Sequence, residues 1–235
     1  NYSSHGIVCS ITLRSLHTTE FMNQRITVGL VAFLALCAGI VGALYIAPPS
    51  VEGEPDYFQT YPEPRAISPF SLVSHKGERF DTSSLKGQWS LVFVGYTFCP
   101  DICPTTMAEL NNIYPELQAL NSVEPIRIVF VSVDPKRDSV ERLAEYVSYF
   151  NEEFIALTGE HKTLFPFVRN LGMMYAIAES TDNPNYLVDH SASVVLIDPE
   201  ARVIGRFKPK REPGKLSISD SQQILADMPV IISKQ

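Results

Sequence analysis

The chain has 235 residues, a hydrophobic content of 45% and a formal net charge of −7. That length supports one domain of ordinary size with additional segments, and the acidic balance argues against a nucleic-acid partner, which would need a basic face. There is no Lys/Arg run, Gly-rich phosphate loop or zinc-finger spacing, and four cysteines are too few for a disulfide scaffold in a chain this long.

Residues 1–21 are rich in Ser, Thr and His and show no sustained period. Met22-Asn23-Gln24-Arg25 resembles a short positive leader, which makes Met22 a candidate natural start; a targeting peptide is the alternative, weakened by Glu20 and few basic residues. Residues 1–25 are therefore expected to be a short cytoplasmic segment. Residues 26–47 are uncharged, and as a helix they would cover roughly 33 Å, close to the hydrocarbon thickness of a bilayer. Arg25 precedes the stretch and Glu52, Glu54 and Asp56 follow it. This predicts a single-pass anchor in the inner (cytoplasmic) membrane, with the C-terminal domain in the periplasm or an equivalent extracytoplasmic space. A cleaved signal peptide fits poorly, since the stretch ends Tyr45-Ile46-Ala47; a lipoprotein site at Cys37 is disfavoured by the bulky Leu36. Residues 48–69 hold six prolines and read as an extended tether that cannot form a core.

From residue 70 to 235, strand and helix patterns alternate. Residues 91–94 form an apolar run expected of a buried parallel strand. Residues 106–120 have helical spacing, with Met107, Leu110, Ile113, Tyr114 and Leu117 on one side, Pro104 in the first turn, a Thr106/Glu109 capping box and a possible kink at Pro115. A second buried strand covers 126–133, and a helix opened by Asp138 and Glu141 runs to about Phe150. Residues 154–157 suggest a short strand and 162–171 a helix. Residues 194–197 and 203–207 flank the turn Asp198-Pro199-Glu200-Ala201 as a hairpin, in which Ala201 is expected to be left-handed; 219–228 is a last helix. The layout is that of an α/β thioredoxin-like sandwich, a central mixed sheet with flanking helices, preceded by one transmembrane helix.

Cys99-Pro100-Asp101-Ile102-Cys103 follows the first buried strand and precedes a helix. Both sulfurs are thereby placed at the C-terminal edge of the sheet and near a helix N-terminus, which favours thiolate. Thiolates are soft ligands that suit Cu(I). A structural disulfide is possible, but so short a loop gains little from it. A redox pair is the stronger competitor, although thioredoxin-type sites separate their cysteines by two residues rather than three. Two thiolates leave a copper ion under-coordinated. Among His75, His161 and His190, the first reads as a solvated turn residue and the second as an exposed residue near a helix start. His190 approaches the cysteine edge just before the hairpin strand; position alone leaves it balanced between ligand and structural residue.

Three segments in order resemble the SCO/SenC family: 93–106 around Cys-x-x-x-Cys, Val131-Ser132-Val133-Asp134-Pro135 with Arg137-Asp138, and Val188-Asp189-His190-Ser191. The resemblance covers about residues 70–228. It implies one copper ion bound by Cys99, Cys103 and His190, with Cys99 and Cys103 also able to form a redox disulfide. It further implies a role in maturing the binuclear copper centre of a haem-copper respiratory oxidase, with the copper-bearing oxidase subunit and a copper donor protein as partners. Ala201 stands where a glycine is usual, and no proline immediately precedes Val194, unlike thioredoxins. Asp189 is a candidate to orient His190, although neighbouring strand residues face opposite ways. Met173 and Met174 read as core filler, Asp134 as a strand-end turn residue, and Tyr96 and Phe98 as walls of the site.

The same residues admit three functions. A copper metallochaperone passes its ion on by ligand exchange and makes no bond in a substrate, so it is not an enzyme. A thiol–disulfide reductase would use Cys99 and Cys103 on the target's own copper-binding cysteines and needs no His190. A peroxiredoxin-like peroxidase would find Thr97 in loose register but leave Cys103 without a role.

Overall fold

A computed structural model of the chain describes residues 26–42, 53–177 and 180–234. The chain forms two compact units, Asn1–Val51 and Glu52–Gln235. In the first, residues 26–42 form helix α1, whose apolar side chains are mostly exposed. At 1.5 Å per residue it covers about 26 Å, and among the described residues no helix is long and apolar enough to cross a membrane. Residues 43–47, the end of the expected anchor, lie outside the described residues, as do 1–25 and the start of the proline-rich segment.

The second unit begins with strands β1 (Phe58–Ala66), β2 (Ser71–Ser74) and β3 (Arg79–Asp81), and a single helical turn α2 (Thr82–Leu85). Strand β4 (Trp89–Gly95) leads to helix α3 (Ile102–Gln118), and β5 (Ile126–Ser132) to α4 (Val140–Phe150). Then come β6 (Ile155–Thr158), α5 (His161–Asn170), β7 (Tyr175–Ile177), β8 (Val188–His190), the hairpin β9 (Val194–Ile197) and β10 (Arg202–Phe207), and α6 (Ser221–Ser233). Eight strands form one mixed sheet in the order β1-β10-β9-β4-β5-β6-β2-β3; β7 and β8 form a separate two-stranded sheet.

The sheet is organised around β4 and β5. All seven residues of each are buried, as expected where helices cover both faces of parallel strands. They pair in parallel from Trp89–Ile126 to Gly95–Ser132, β6 continues in parallel from β5, and β9 closes on β4 antiparallel. The predicted helices and central strands form within a few residues of the expected bounds. Helix α6 continues past Pro229 to Ser233, with Ile231 buried beyond the proline.

Three expectations are corrected. The proline-rich segment is not wholly a tether: Phe58–Ala66 is an edge strand antiparallel to β10, with its register broken between Thr60 and Arg65, where Pro62 and Pro64 fall. Proline is tolerated there because an edge strand need not donate on its outer side. The buried Asp227 carboxylate secures its start, accepting the backbone N–H groups of Asp56, Tyr57 and Phe58 at 3.0, 2.7 and 2.6 Å. Second, α3 starts at Ile102, so no Thr106/Glu109 capping box forms; Thr106 is buried inside the helix and Glu109 instead accepts from the Ser221 hydroxyl at 2.6 Å. Third, α4 is capped by Ser139, which accepts from the Arg142 N–H, rather than by Asp138.

The hairpin turn takes the expected form. Ala201 N–H donates to the Asp198 carbonyl at 2.9 Å, and the Asp198 carboxylate accepts from the Glu200 and Arg202 N–H groups. Ala201 has φ 63° and is the one non-glycine residue with positive φ among those described. The left-handed region costs a residue bearing a Cβ roughly 1 kcal/mol or more, which glycine avoids. Lost burial of one methyl and a freer unfolded chain offset part of that relief. Ala201→Gly is therefore expected to raise stability by up to about 1 kcal/mol, read as a higher denaturation midpoint with copper binding unchanged.

Candidate metal centre

The end of β4 delivers the first cysteine and the first turn of α3 the second. The Cys99 N–H donates to the Tyr96 carbonyl at 3.2 Å, closing a turn between strand and helix. Cys103 is fully buried and Cys99 half-buried. Gly95 explains how the second sulfur fits: a Cβ at that position would lie 2.7 Å from Cys103 Sγ and 2.9 Å from the Phe130 ring. The Cys103 sulfur is thus seated against the central strand in a place that only glycine leaves free.

His190 comes from the other end of the domain, on β8, where it pairs with Tyr175 of β7. Its Nε2 lies 3.4 Å from Cys103 Sγ, and its ring stands edge-on to Phe93 and Tyr96, each at 6.0 Å between centroids. The ligating atoms of Cys99, Cys103 and His190 all lie within 4.8 Å of one another, the one such grouping of three His, Cys, Asp or Glu side chains among the described residues. Two sulfurs and one imidazole nitrogen are a soft donor set suited to Cu(I), with the nitrogen extending it towards Cu(II). Metal–ligand bonds of about 2.0–2.3 Å put two ligand atoms on one ion roughly 3.5–4.5 Å apart, close to these separations.

The two cysteines ionise very differently. Cys99 is held down at about 4, chiefly by the hydrogen bond from the Cys103 thiol, against the opposing effect of burial; His190 and the backbone N–H groups of Cys103 and Asp101 add to the lowering. The Cys103 N–H to Cys99 Sγ distance is 3.4 Å. Cys103 is driven far up, first by burial and then by donating to the Cys99 sulfur. The metal-free reduced site therefore holds one thiolate and one thiol at neutral pH, and a metal taking both sulfurs displaces the Cys103 proton.

Other candidates fall elsewhere. Asp189 is exposed and does not bond to His190; the His190 Nδ1 lies 3.3 Å from the Ser191 carbonyl instead, so its expected orienting role is corrected. His75 is not simply solvated: its Nδ1 accepts the Ala156 N–H at 3.1 Å, tying the β2–β3 turn to β6. His161 stacks on Tyr175 with Nδ1 2.9 Å from the phenol oxygen. Met173 is buried, whereas Met174 is 59% exposed with its sulfur 3.6 Å from the Arg169 guanidinium, so Met174 is not core filler. Tyr96 is a buried wall and Phe98 a half-exposed rim.

The polar support beneath the site was not foreseen. Asp134 is fully buried rather than a simple turn residue. It pairs with Arg137 at 2.5 Å and accepts from the Tyr186 hydroxyl. The Arg137 guanidinium stacks on Tyr186 at 3.6 Å, lies 4.8 Å from Phe98, and donates to the Pro184 carbonyl at 3.0 Å; Lys136 reaches the Thr181 carbonyl at 2.7 Å. The 134–137 turn thereby fastens the loop that leads into β8 and His190. Two acids and two bases clustered within Asp134-Pro135-Lys136-Arg137-Asp138 were the available signal.

Fold and site together define a thioredoxin-like domain carrying a cluster of two cysteines and one histidine that could hold a metal ion. The SCO1/SenC family model matches residues 59–225, and the chain belongs to that family. A SCO2-like protein of Rickettsia prowazekii is 37% identical over 191 residues, 79% of this chain and 91% of its own. The structure of Arabidopsis thaliana ScoI with copper bound is 32% identical, with a TM-score of 0.61 over 72% of this chain and all of that one. Yeast Sco1 with copper bound is 26% identical, with a TM-score of 0.58 over 69% of this chain and 87% of that one.

Because the Cys99 thiolate is formed at acid pH and Cys103 is buried as a thiol, iodoacetamide should label the reduced, metal-free protein at Cys99 alone. The rate, followed by mass spectrometry, is expected to rise up to about pH 5 and then level off; equal labelling of Cys103 would contradict the assignment.

Proposed function

We propose that this protein is a copper metallochaperone. It takes one copper ion as cargo through Cys99, Cys103 and His190 and passes it to the copper-bearing subunit of a haem-copper oxidase, helping to mature the binuclear copper centre. The observation that carries the reading is the convergence of the three ligand atoms within 4.8 Å, from segments 87 residues apart, in a chain whose relatives include copper-bound Sco structures. Half-burial of Cys99 and His190 suits a carrier, since a receiving thiolate needs access to the ion while Cys103 still holds it. Residues 26–47 serve as the membrane anchor in this proposal, presenting the domain on the extracytoplasmic side, where a copper donor protein loads it.

A second reading, thiol–disulfide exchange on the target's copper-binding cysteines, is supported by the ionisation split. An accessible low-pKa Cys99 beside a buried Cys103 thiol is the arrangement of an attacking and a resolving cysteine. It would start from the same reduced sulfurs, turning the target's disulfide into two thiols and leaving Cys99 and Cys103 joined as a disulfide.

His190 tests the first reading, since thiol–disulfide exchange needs no third ligand. His190→Ala is expected to weaken Cu(II) binding by a factor on the order of 100 and Cu(I) binding far less, because two thiolates can hold Cu(I) alone whereas Cu(II) wants a nitrogen ligand. The check is metal stoichiometry and the Cu(II) absorption spectrum of the reduced protein: one copper per chain in the parent, with the Cu(II) spectrum lost in the variant. An unchanged Cu(II) spectrum would remove His190 from the ligand set.

A further inference from the structure

Strands β4 and β5 end side by side, with Gly95 opposite Ser132 and the Val133 N–H donating to the Gly95 carbonyl at 2.9 Å. Beyond β5 the chain turns at once: the N–H groups of Arg137 and Asp138 both donate to the Asp134 carbonyl, at 3.2 and 2.9 Å. This turn carries the Asp138 side chain back to the end of β4. Its carboxylate accepts the Thr97 N–H at 2.9 Å, the Thr97 hydroxyl at 2.7 Å and the Ser132 hydroxyl at 2.5 Å.

Asp138 is 1% exposed, and among the described residues no lysine or arginine is bonded to it. Arg142 Nε stops at the Thr97 hydroxyl, 3.2 Å away, and Arg137 is paired with Asp134. A buried carboxylate without a cation is an expensive support if stability is its sole purpose, since apolar packing does that work with less desolvation cost. Nor is Asp138 needed to start α4, which Ser139 caps. What the arrangement does supply is direction. The Thr97 hydroxyl receives the Arg142 N–H, so its own proton goes to Asp138, and the residue is held at both backbone and side chain. Thr97 stands two residues before Cys99.

We infer that Asp138 and Thr97 are positioning residues of the metal centre: the carboxylate pins the end of β4 and thereby fixes Cys99 Sγ relative to Cys103 and His190. Cys103 has its own seat on Gly95, so the two sulfurs are located by separate supports, and only that of Cys99 depends on Asp138. The metal arm of the test rests on the copper reading; the exchange arm does not.

Three variants of the full chain test this. Asp138→Asn keeps the shape but replaces an accepting oxygen with a donor. Thr97→Val removes the hydroxyl at nearly constant shape, and Thr97→Ser retains it. In the reduced, copper-free protein, amide hydrogen exchange at Thr97 and Cys99 should accelerate on the order of tenfold in Asp138→Asn and Thr97→Val, the loss of a charge-assisted hydrogen bond, with the β5 amides unchanged. Both variants should still take one copper, with a shifted Cu(II) charge-transfer band and an affinity lower by about tenfold. Thr97→Ser should match the parent in both readouts. The inference is overturned if Asp138→Asn and Thr97→Val leave exchange at the two amides unchanged, if exchange rises equally across β4, β5 and α4, or if Thr97→Ser behaves like Thr97→Val. A parent protein that takes up no copper would refute the proposed function, while the exchange pattern would still decide this inference.

Discussion

The seat of one sulfur atom organises this domain. Cys103 Sγ rests against the last residue of the central strand, where Gly95 has no side chain and Phe130 closes the neighbouring space. Full burial there raises the Cys103 thiol, while the neighbouring Cys103 lowers Cys99 four residues earlier. Cys103 also lies 3.4 Å from the His190 imidazole. A single packing contact therefore bears on the ionisation of both cysteines and on the approach of the imidazole. A larger residue at position 95 would have to move either Cys103 or Phe130, and both sit in a core with little room.

Holding His190 in place is a separate problem, because its strand is short and belongs to a small two-stranded sheet outside the main one. The solution is electrostatic. Asp134, Arg137 and Tyr186 form a compact set in which the carboxylate is ion-paired and hydrogen-bonded while the guanidinium covers an aromatic face. Buried charges are tolerable when satisfied in this way. Since Tyr186 and Pro184 lie just before β8, the set fixes the loop from which His190 emerges. The turn that follows β5 thus serves both halves of the centre, through Asp134 and Arg137 for the histidine and through Asp138 for Cys99.

Much of this could be read in advance where the signal was periodic or local. The uninterrupted apolar runs of β4 and β5, the helical spacing of α3 and the Asp-Pro-Glu-Ala turn all leave marks within a few residues, and the cysteine spacing places two sulfurs at one sheet edge. The third member of the cluster needed the family resemblance, because position favours His190 over His75 and His161 but leaves it balanced between ligand and structural residue. Strand β1 was hidden by its prolines, since its pairing depends on a partner more than 130 residues away and on the Asp227 carboxylate. Asp134 does open the turn after β5, but its burial and its bonds to Arg137 and Tyr186 leave no local mark, and Asp138 reads as a cap because that role suits an aspartate there. Only tertiary packing shows that both carboxylates are buried and bonded to residues far along the chain.

The central claim is that copper is held by both sulfurs and the imidazole together. X-ray absorption spectroscopy on the copper-loaded, reduced full chain reads that coordination directly. The account predicts two sulfur scatterers at about 2.2–2.3 Å and at least one nitrogen at about 2.0 Å, by analogy with typical metal–thiolate and metal–imidazole distances. A shell with one sulfur or none, or with no nitrogen, would contradict it.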